Sequence, residues 1–406
     1  MEPASWQADN DVLHKVIYLL QPLSANNLEE QREKQAQLNE FSQDHLFCCY
    51  LGKFCVFNKV ALIFGNGEDQ DIQVRQTAGL ALKSQIDMHF ASINMQIIEY
   101  CKEMIMKAYM SSNKIIRETA GNVISLVIFR GGLNIWPGIL EFFIQQFDNN
   151  DEEAIESAVR AIWFVVEDSG RLFEEPKYAE EMDKMLPSLS KLLMEGPKNP
   201  KIRATVINTI NMLIILSTET VYNSTEDYLV VLIQIAHDDS IEVRKRAVQG
   251  ITTILDFRME LILKHIEEVG TTMVDSLNCQ DQLIGLAAAE FWSGFAINQM
   301  EDEEDDGQRR NVLQKASKSI CPILLSCCRF QEADQISSMP SNSNDMNIYK
   351  EDYYEYDQDE ELDDDEYGQL EGMSKFYILK YFRYITSCCC FCTRKHCKIM
   401  SRNNIW

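Results

Sequence analysis

Four groups of residues in this sequence have side chains capable of specific chemistry. The six histidines, His14, His45, His89, His237, His265 and His396, lie far apart, with no Asp, Ser or Cys at a spacing that would make a nucleophile–base pair. The stretch "GNGEDQD" (65–71) is glycine-containing but follows no predicted strand, so it reads as an inter-helix turn and not as a phosphate loop. Near the carboxyl end, "CCCFCTRKHC" (388–397) offers Cys390, Cys392, His396 and Cys397 to a metal. Its spacing matches no pair of separated two-ligand motifs, and basic, aromatic and thiol residues at 375–397 equally fit an acylated tail. No catalytic set, metal site or cofactor is expected, and the tail 367–406 is expected to be disordered.

Charge is the stronger signal. The net charge is −25, and seventeen carboxylates fall in two runs, "EDEEDD" (301–306) and the eleven acids Glu351, Asp352, Glu355, Asp357, Asp359, Glu360, Glu361, Asp363, Asp364, Asp365 and Glu366. An acidic protein repels phosphate backbones, so direct nucleic-acid binding is not expected, whereas a basic protein segment is a suitable ligand. Basic residues cluster elsewhere: Arg75, Arg117, Arg203 and the triplet Arg244, Lys245 and Arg246 each sit near the start of an apolar-periodic segment. Two roles are open to them, pairing with an acid of a neighbouring repeat or facing a ligand, and the triplet exceeds what pairing requires. Most of the thirteen cysteines stand singly in apolar stretches or as adjacent pairs, as expected of reduced, buried thiols, and the sequence shows neither a secretory leader nor a run long enough to span a bilayer.

The elements that carry these residues repeat. "DIQVRQTAGLALKSQI" (71–86), "NKIIRETAGNVISLVI" (113–128), "EEAIESAVRAIWFVV" (152–166), "NPKIRATVINTINML" (199–213), "DDSIEVRKRAVQGITTILDFR" (238–258) and "DQLIGLAAAEFWSGF" (281–295) share one phrasing. Alignment brings Ala78, Ala120, Ala158, Val206, Ala247 and Ala287 into register at steps of 42, 38, 48, 41 and 40 residues. A second amphipathic helix precedes most of them, at 94–110, 136–147, 185–194, 226–236 and 260–277. Paired helices at this period, with a small residue where they must approach, predict an all-α solenoid of HEAT repeats. Residues 10–330 provide about seven complete helix pairs and the outer helix of an eighth; "DVLHKVIYLL" and "NLEEQREKQAQLNEF" supply the first pair. Trp136, Trp163 and Trp292 are expected in the core. The acidic run then lies in a loop, 331–366, inside the eighth pair. Residues 374–385, "SKFYILKYFRYI", place Phe376, Leu379, Phe382 and Ile385 on one side and offer a substitute cap for the unpaired outer helix.

Several stretches resemble the N-terminal arch of the transportin group of karyopherin-β nuclear import receptors. They are "EEQREKQAQLNEF" (29–41), "GLALKSQIDMHF" (79–90), "IWPGIL" (135–140), "VEDSGRLF" (166–173), "PKIRATV" (200–206), "IEVRKRAV" (241–248), "FRMELILKHI" (257–266) and "AAEFW" (288–292). The resemblance runs over roughly 350 residues, with importin-β N-terminal homology at about 28–90. It implies binding of the GTP form of Ran through Gln31, Lys34, Gln35 and Leu38 in the first repeat, and Arg75, Gln76, Gly79 and Lys83 in the second. Arg117 and Asn122 in the third, with Arg244 and Lys245 later, complete the implied surface. It further implies an acidic loop that couples Ran binding to release of basic nuclear-localisation-signal cargo, nucleoporins as further partners, and shuttling between cytoplasm and nucleus. Residues 367–406 do not resemble the family, so an array truncated after the loop, with most of the cargo site missing, is the expectation. The alternative from residues alone is a HEAT scaffold of the phosphatase-subunit kind.

Overall fold

The computed structural model describes residues 56–279, 281–301 and 308–327, with a few isolated positions before them. Among the described residues there are fourteen α-helices and no strand. In chain order these are α1 (Val56–Asn66), α2 (Ile72–His89), α3 (Met95–Tyr109), α4 (Lys114–Gly131), α5 (Ile139–Gln145), α6 (Glu152–Ser169) and α7 (Ala179–Glu195). They are followed by α8 (Pro200–Leu213), α9 (Glu219–Ile235), α10 (Ile241–Phe257), α11 (Met259–Lys264), α12 (Ile266–Leu277), α13 (Gln282–Glu301) and α14 (Gln308–Cys327). Outer helices α1, α3, α5, α7, α9, α11–α12 and α14 alternate with inner helices α2, α4, α6, α8, α10 and α13, which makes the fold an all-α HEAT solenoid. The chain divides into two compact units, Met1–Asn223 and Ser224–Trp406.

The inner helices start where the sequence supplies a short polar cap. Asp71, Asn113, Asp151 and Asn199 each accept a hydrogen bond from a first-turn amide, at 2.8, 3.3, 3.0 and 3.0 Å, and Asp281 does the same for Leu283 at 3.0 Å. Ser240, at the cap position of α10, makes no such bond; Asp238 instead accepts from the Ser240 amide at 2.9 Å and sets the turn. The aligned small residues Ala78, Ala120, Ala158, Val206, Ala247 and Ala287 are all buried. So are Trp136, Trp163 and Trp292.

Within the first unit each inner helix packs on the next, α2 on α4, α4 on α6 and α6 on α8, while outer helices α1 and α3 pack together, as do α5 and α7. An aromatic group, Tyr109 with Phe143 at 5.2 Å and Phe142 at 6.0 Å, joins α3 to α5. In the second unit α13 packs on α10 and α12, and Phe291, Trp292 and Phe295 fill the core, with Phe291 and Trp292 edge-to-face at 5.3 Å.

The outer helices depart most from expectation. The helix expected at 136–147 is shorter, because Gly138 takes a left-handed φ of 78° and the chain tightens into a 3₁₀ turn at Gln146–Asp148. The helix expected at 260–277 breaks at His265, whose φ of −108° and ψ of 27° leave the helical region. The helices expected at 185–194 and 226–236 are longer, beginning at Ala179 and Glu219. Across the break, Glu226 of α9 accepts from Lys264 at 2.5 Å and contacts His265 Nε2 at 3.0 Å, and these bonds hold its carboxyl below the usual range. The first helix pair, the acidic run and the tail 367–406 lie outside the described residues.

Candidate partner-binding surface

Each inner helix of the first unit buries three sides and leaves one stripe to solvent. On α2 the stripe carries Gln76, Leu80, Lys83, Ser84 and Asp87, on α4 Glu118, Asn122 and Phe129, and on α6 Glu156, Arg160, Phe164 and Asp168. Lys83 donates to the Asn122 Oδ1, so two of the residues expected to act together are joined across neighbouring repeats. Beyond them, Leu80, Lys83, Ser84, Asp87, Leu126, Phe129 and Asp168 line a shallow depression of about 430 Å³. Asp87 pairs with Arg130 at 2.5 Å, and Asp168 accepts from Ser125 Oγ at 2.6 Å. Leu80 and Phe129 stand half-exposed there. An apolar floor with an aromatic, bordered by both signs of charge, is the composition of a protein-docking surface. Leu80, Phe129 and Asp168 were not among the residues expected at a surface: the two apolar ones look like part of their helices' core pattern, and Asp168 like any solvated acid.

Arg75 and Gly79 do not belong to this surface. Arg75 is 5% exposed; its Nε donates to Phe64 O at 2.8 Å, Nη2 to Gly65 O at 3.1 Å and Nη1 to Ser111 Oγ at 3.2 Å. It therefore closes the last turn of α1 instead of pairing with an acid of the next repeat, and burial lowers its pKa, with Glu68 opposing. Gly79 is a close-approach position: a Cβ there would lie 2.6 Å from the Phe64 ring and 2.7 Å from the Thr119 methyl. Alanine at residue 79 is expected to destabilise the first unit by about 1–3 kcal/mol despite its better helix propensity, read as a lower denaturation midpoint.

The expected ladder is present between α4 and α6. Arg117 pairs with Glu153 at 2.8 Å, donates to Ser157 Oγ at 3.0 Å and reaches the Ser111 and Ser112 carbonyls at 3.0 and 2.8 Å. Lys114 pairs with Glu156 at 2.9 Å, and that hydrogen bond raises the lysine pKa; Arg160 lies 3.8 Å from Glu118. Arg117 thus has a structural role, with its side chain 11% exposed.

In the second unit the basic triplet separates into three roles. Arg244 Nη1 donates to Asp238 O at 2.9 Å, in the turn before its own helix. Arg246 pairs with Glu242 at 3.0 Å. Lys245, partly buried, makes no ion pair among the described residues. Gln31, Lys34, Gln35 and Leu38 lie outside the described residues. Among the described residues no cluster of three or more His, Cys, Asp or Glu could hold a metal ion, and no helix is long and apolar enough to cross a membrane.

Comparison with known proteins agrees with this architecture. Residues 178–301 match the family model for GCN1-like, C-terminal HEAT repeats. Mouse Transportin-1 is 24% identical over 331 residues, covering 82% of this chain and 35% of that protein; the transportin of Dictyostelium discoideum is 24% identical over the same length, covering 82% and 33%. Among solved structures, yeast importin-beta (Kap95p) superposes with a TM-score of 0.65 at 13% identity, covering 94% of this chain and 43% of that one. Kap95p in the structure in which it induces the switch loops of RanGDP to adopt the GTP-bound conformation gives 0.62 at 14% identity, covering 91% and 40%. The fold is a HEAT-repeat array similar to those of the karyopherin-β class. Within that class it is similar in sequence to transportins, and it spans about a third of the length of the curated relatives it matches.

Proposed function

We propose that this chain is the Ran-GTP-binding arch of a transportin-type nuclear import receptor. The observation that carries the reading is the 331-residue similarity to transportins, which spans 82% of this chain. On this reading Gln76, Lys83 and Asn122 on the solvent stripes of α2 and α4 contact Ran, with the first-repeat residues Gln31, Lys34, Gln35 and Leu38 beside them. Lys245 adds a later contact. The acidic run 351–366 couples that binding to displacement of basic signal peptides: eleven carboxylates mimic an acidic groove, and competition for one site is linkage. Fold relatives include a Kap95:Nup1 complex and Kap121p bound to the SUMO protease Ulp1p. Nucleoporin and cargo contacts, with shuttling between cytoplasm and nucleus, extend the proposal.

Titration of the full chain with Ran carrying a GTP analogue tests the reading. Substituting Lys245→Glu is expected to weaken that binding by about five- to tenfold with an unchanged melting temperature, the effect of reversing a rim charge. An unaltered affinity would remove the second unit from the contact.

A further inference from the structure

A groove of about 410 Å³ lies between the α1–α2 turn and the α3–α4 turn, and none of the residues on the solvent stripes lines it. The buried Arg75, Ser111 and Ile116 form its floor, and the exposed Glu68, Ile72 and Ser112 its rim. Arg75 brings a charge into that floor with no carboxylate to meet it. Three of its five N–H groups go to neutral oxygens, those of Phe64, Gly65 and Ser111, which leaves two uncommitted. Glu68 acts on the guanidinium only at a distance, from the rim. A buried cation held by neutral acceptors alone favours any carboxylate that can reach it. The next repeat shows this position filled. Arg117, at the same place in α4, also reaches two turn carbonyls, and it receives the Glu153 carboxylate at 2.8 Å. Where that acid would stand beside Arg75, the chain carries the half-exposed Ile115.

We propose that this groove binds a carboxylate side chain of a partner segment, seated on Arg75, with an adjoining aliphatic residue against Ile72. The volume is that of a site for a few side chains, larger than a lone anion needs. Ile72 is 47% exposed and supplies the apolar wall. The Ser112 hydroxyl, exposed at the rim and without a bond among the described residues, is a second donor for the incoming acid. Glu68 limits the choice of ligand. A run of acids is repelled there, so the groove favours a single acid between uncharged or basic neighbours. The site is separate from the surface assigned to the GTPase, so either assignment can fail without the other.

Fluorescence anisotropy of the full chain tests this with two capped peptides, Ala-Ile-Glu-Ile-Ala and Ala-Ile-Gln-Ile-Ala, carrying the same neutral dye. The acidic peptide is expected to bind at least about tenfold more tightly than its amide counterpart. Substituting Ile72→Glu places a carboxylate on the rim, at the first position of α2. It is expected to weaken the acidic peptide at least about tenfold with an unchanged or higher melting temperature, because an acid in the first turn suits the helix dipole. Glu68→Gln is expected to tighten it about two- to threefold. Both variants leave Arg75, which also closes α1, in place. Equal affinity for the two peptides, or none for either, would overturn the proposal. Wild-type binding by a folded Ile72→Glu protein would overturn it too. A lower melting temperature for Glu68→Gln with no gain in affinity would do the same, by making Glu68 the arginine's own counter-ion.

Discussion

Replacing Arg75 with alanine is expected to destabilise the first unit by about 2–4 kcal/mol, while Lys83→Ala changes stability by less than about 0.5 kcal/mol and acts on partner binding. The two residues lie eight positions apart on one helix, and the family resemblance assigns both to one contact surface. Arg75 is buried and serves three acceptors, two of them carbonyls in the last turn of α1. Its removal leaves those carbonyls and Ser111 without their donor. Lysine at residue 75 is expected to restore little of the loss, since a single ammonium cannot reproduce the fork that Nε and Nη2 present to successive carbonyls. Lys83 stands on the solvent stripe with a neutral amide as its partner. Chemical denaturation of both variants, read by circular dichroism, decides between these roles. An Arg75→Ala protein with wild-type stability and lost partner binding would return Arg75 to the surface.

The second large effect is expected at Trp292. Alanine there should remove about 3–5 kcal/mol from the second unit, because the indole fills the centre of its aromatic core. Phenylalanine should cost much less, about 1–2 kcal/mol. The Trp292 Nε1 is buried without a hydrogen-bond partner, so deleting the N–H relieves an unsatisfied donor while some ring volume is lost. Denaturation midpoints of the two variants test this ordering, and equal losses would mean that the indole nitrogen has a partner.

The repeat itself was legible in the sequence. Small residues at steps of about forty mark the places where inner and outer helices meet, and every aligned position is buried. The bounds of the outer helices were not legible. Their ends depend on tertiary packing and on local dihedrals such as those of Gly138 and His265, which periodicity does not encode. The candidate site was half legible for a reason visible in the arginines. Arg75, Arg117 and Arg244 each occupy the fourth position of an inner helix, and each reaches carbonyls of the preceding turn or helix end. Only Arg117 also meets an acid, because the next inner helix carries Glu153 at its second position. For Arg75 that place is Ile115, and for Arg244 it is Leu283. Three identical-looking arginines therefore have different partners, set by a residue forty positions away.

The central claim is that the inner helices present a surface to the GTP form of Ran. Its most direct test is the affinity of the full chain for Ran loaded with a GTP analogue against Ran loaded with GDP, measured by calorimetry at physiological salt. The account predicts binding to the GTP form at least about tenfold tighter, a difference of about 1.4 kcal/mol, weakened further by Lys83→Glu. Equal affinity for the two forms, or no binding to either, would contradict it.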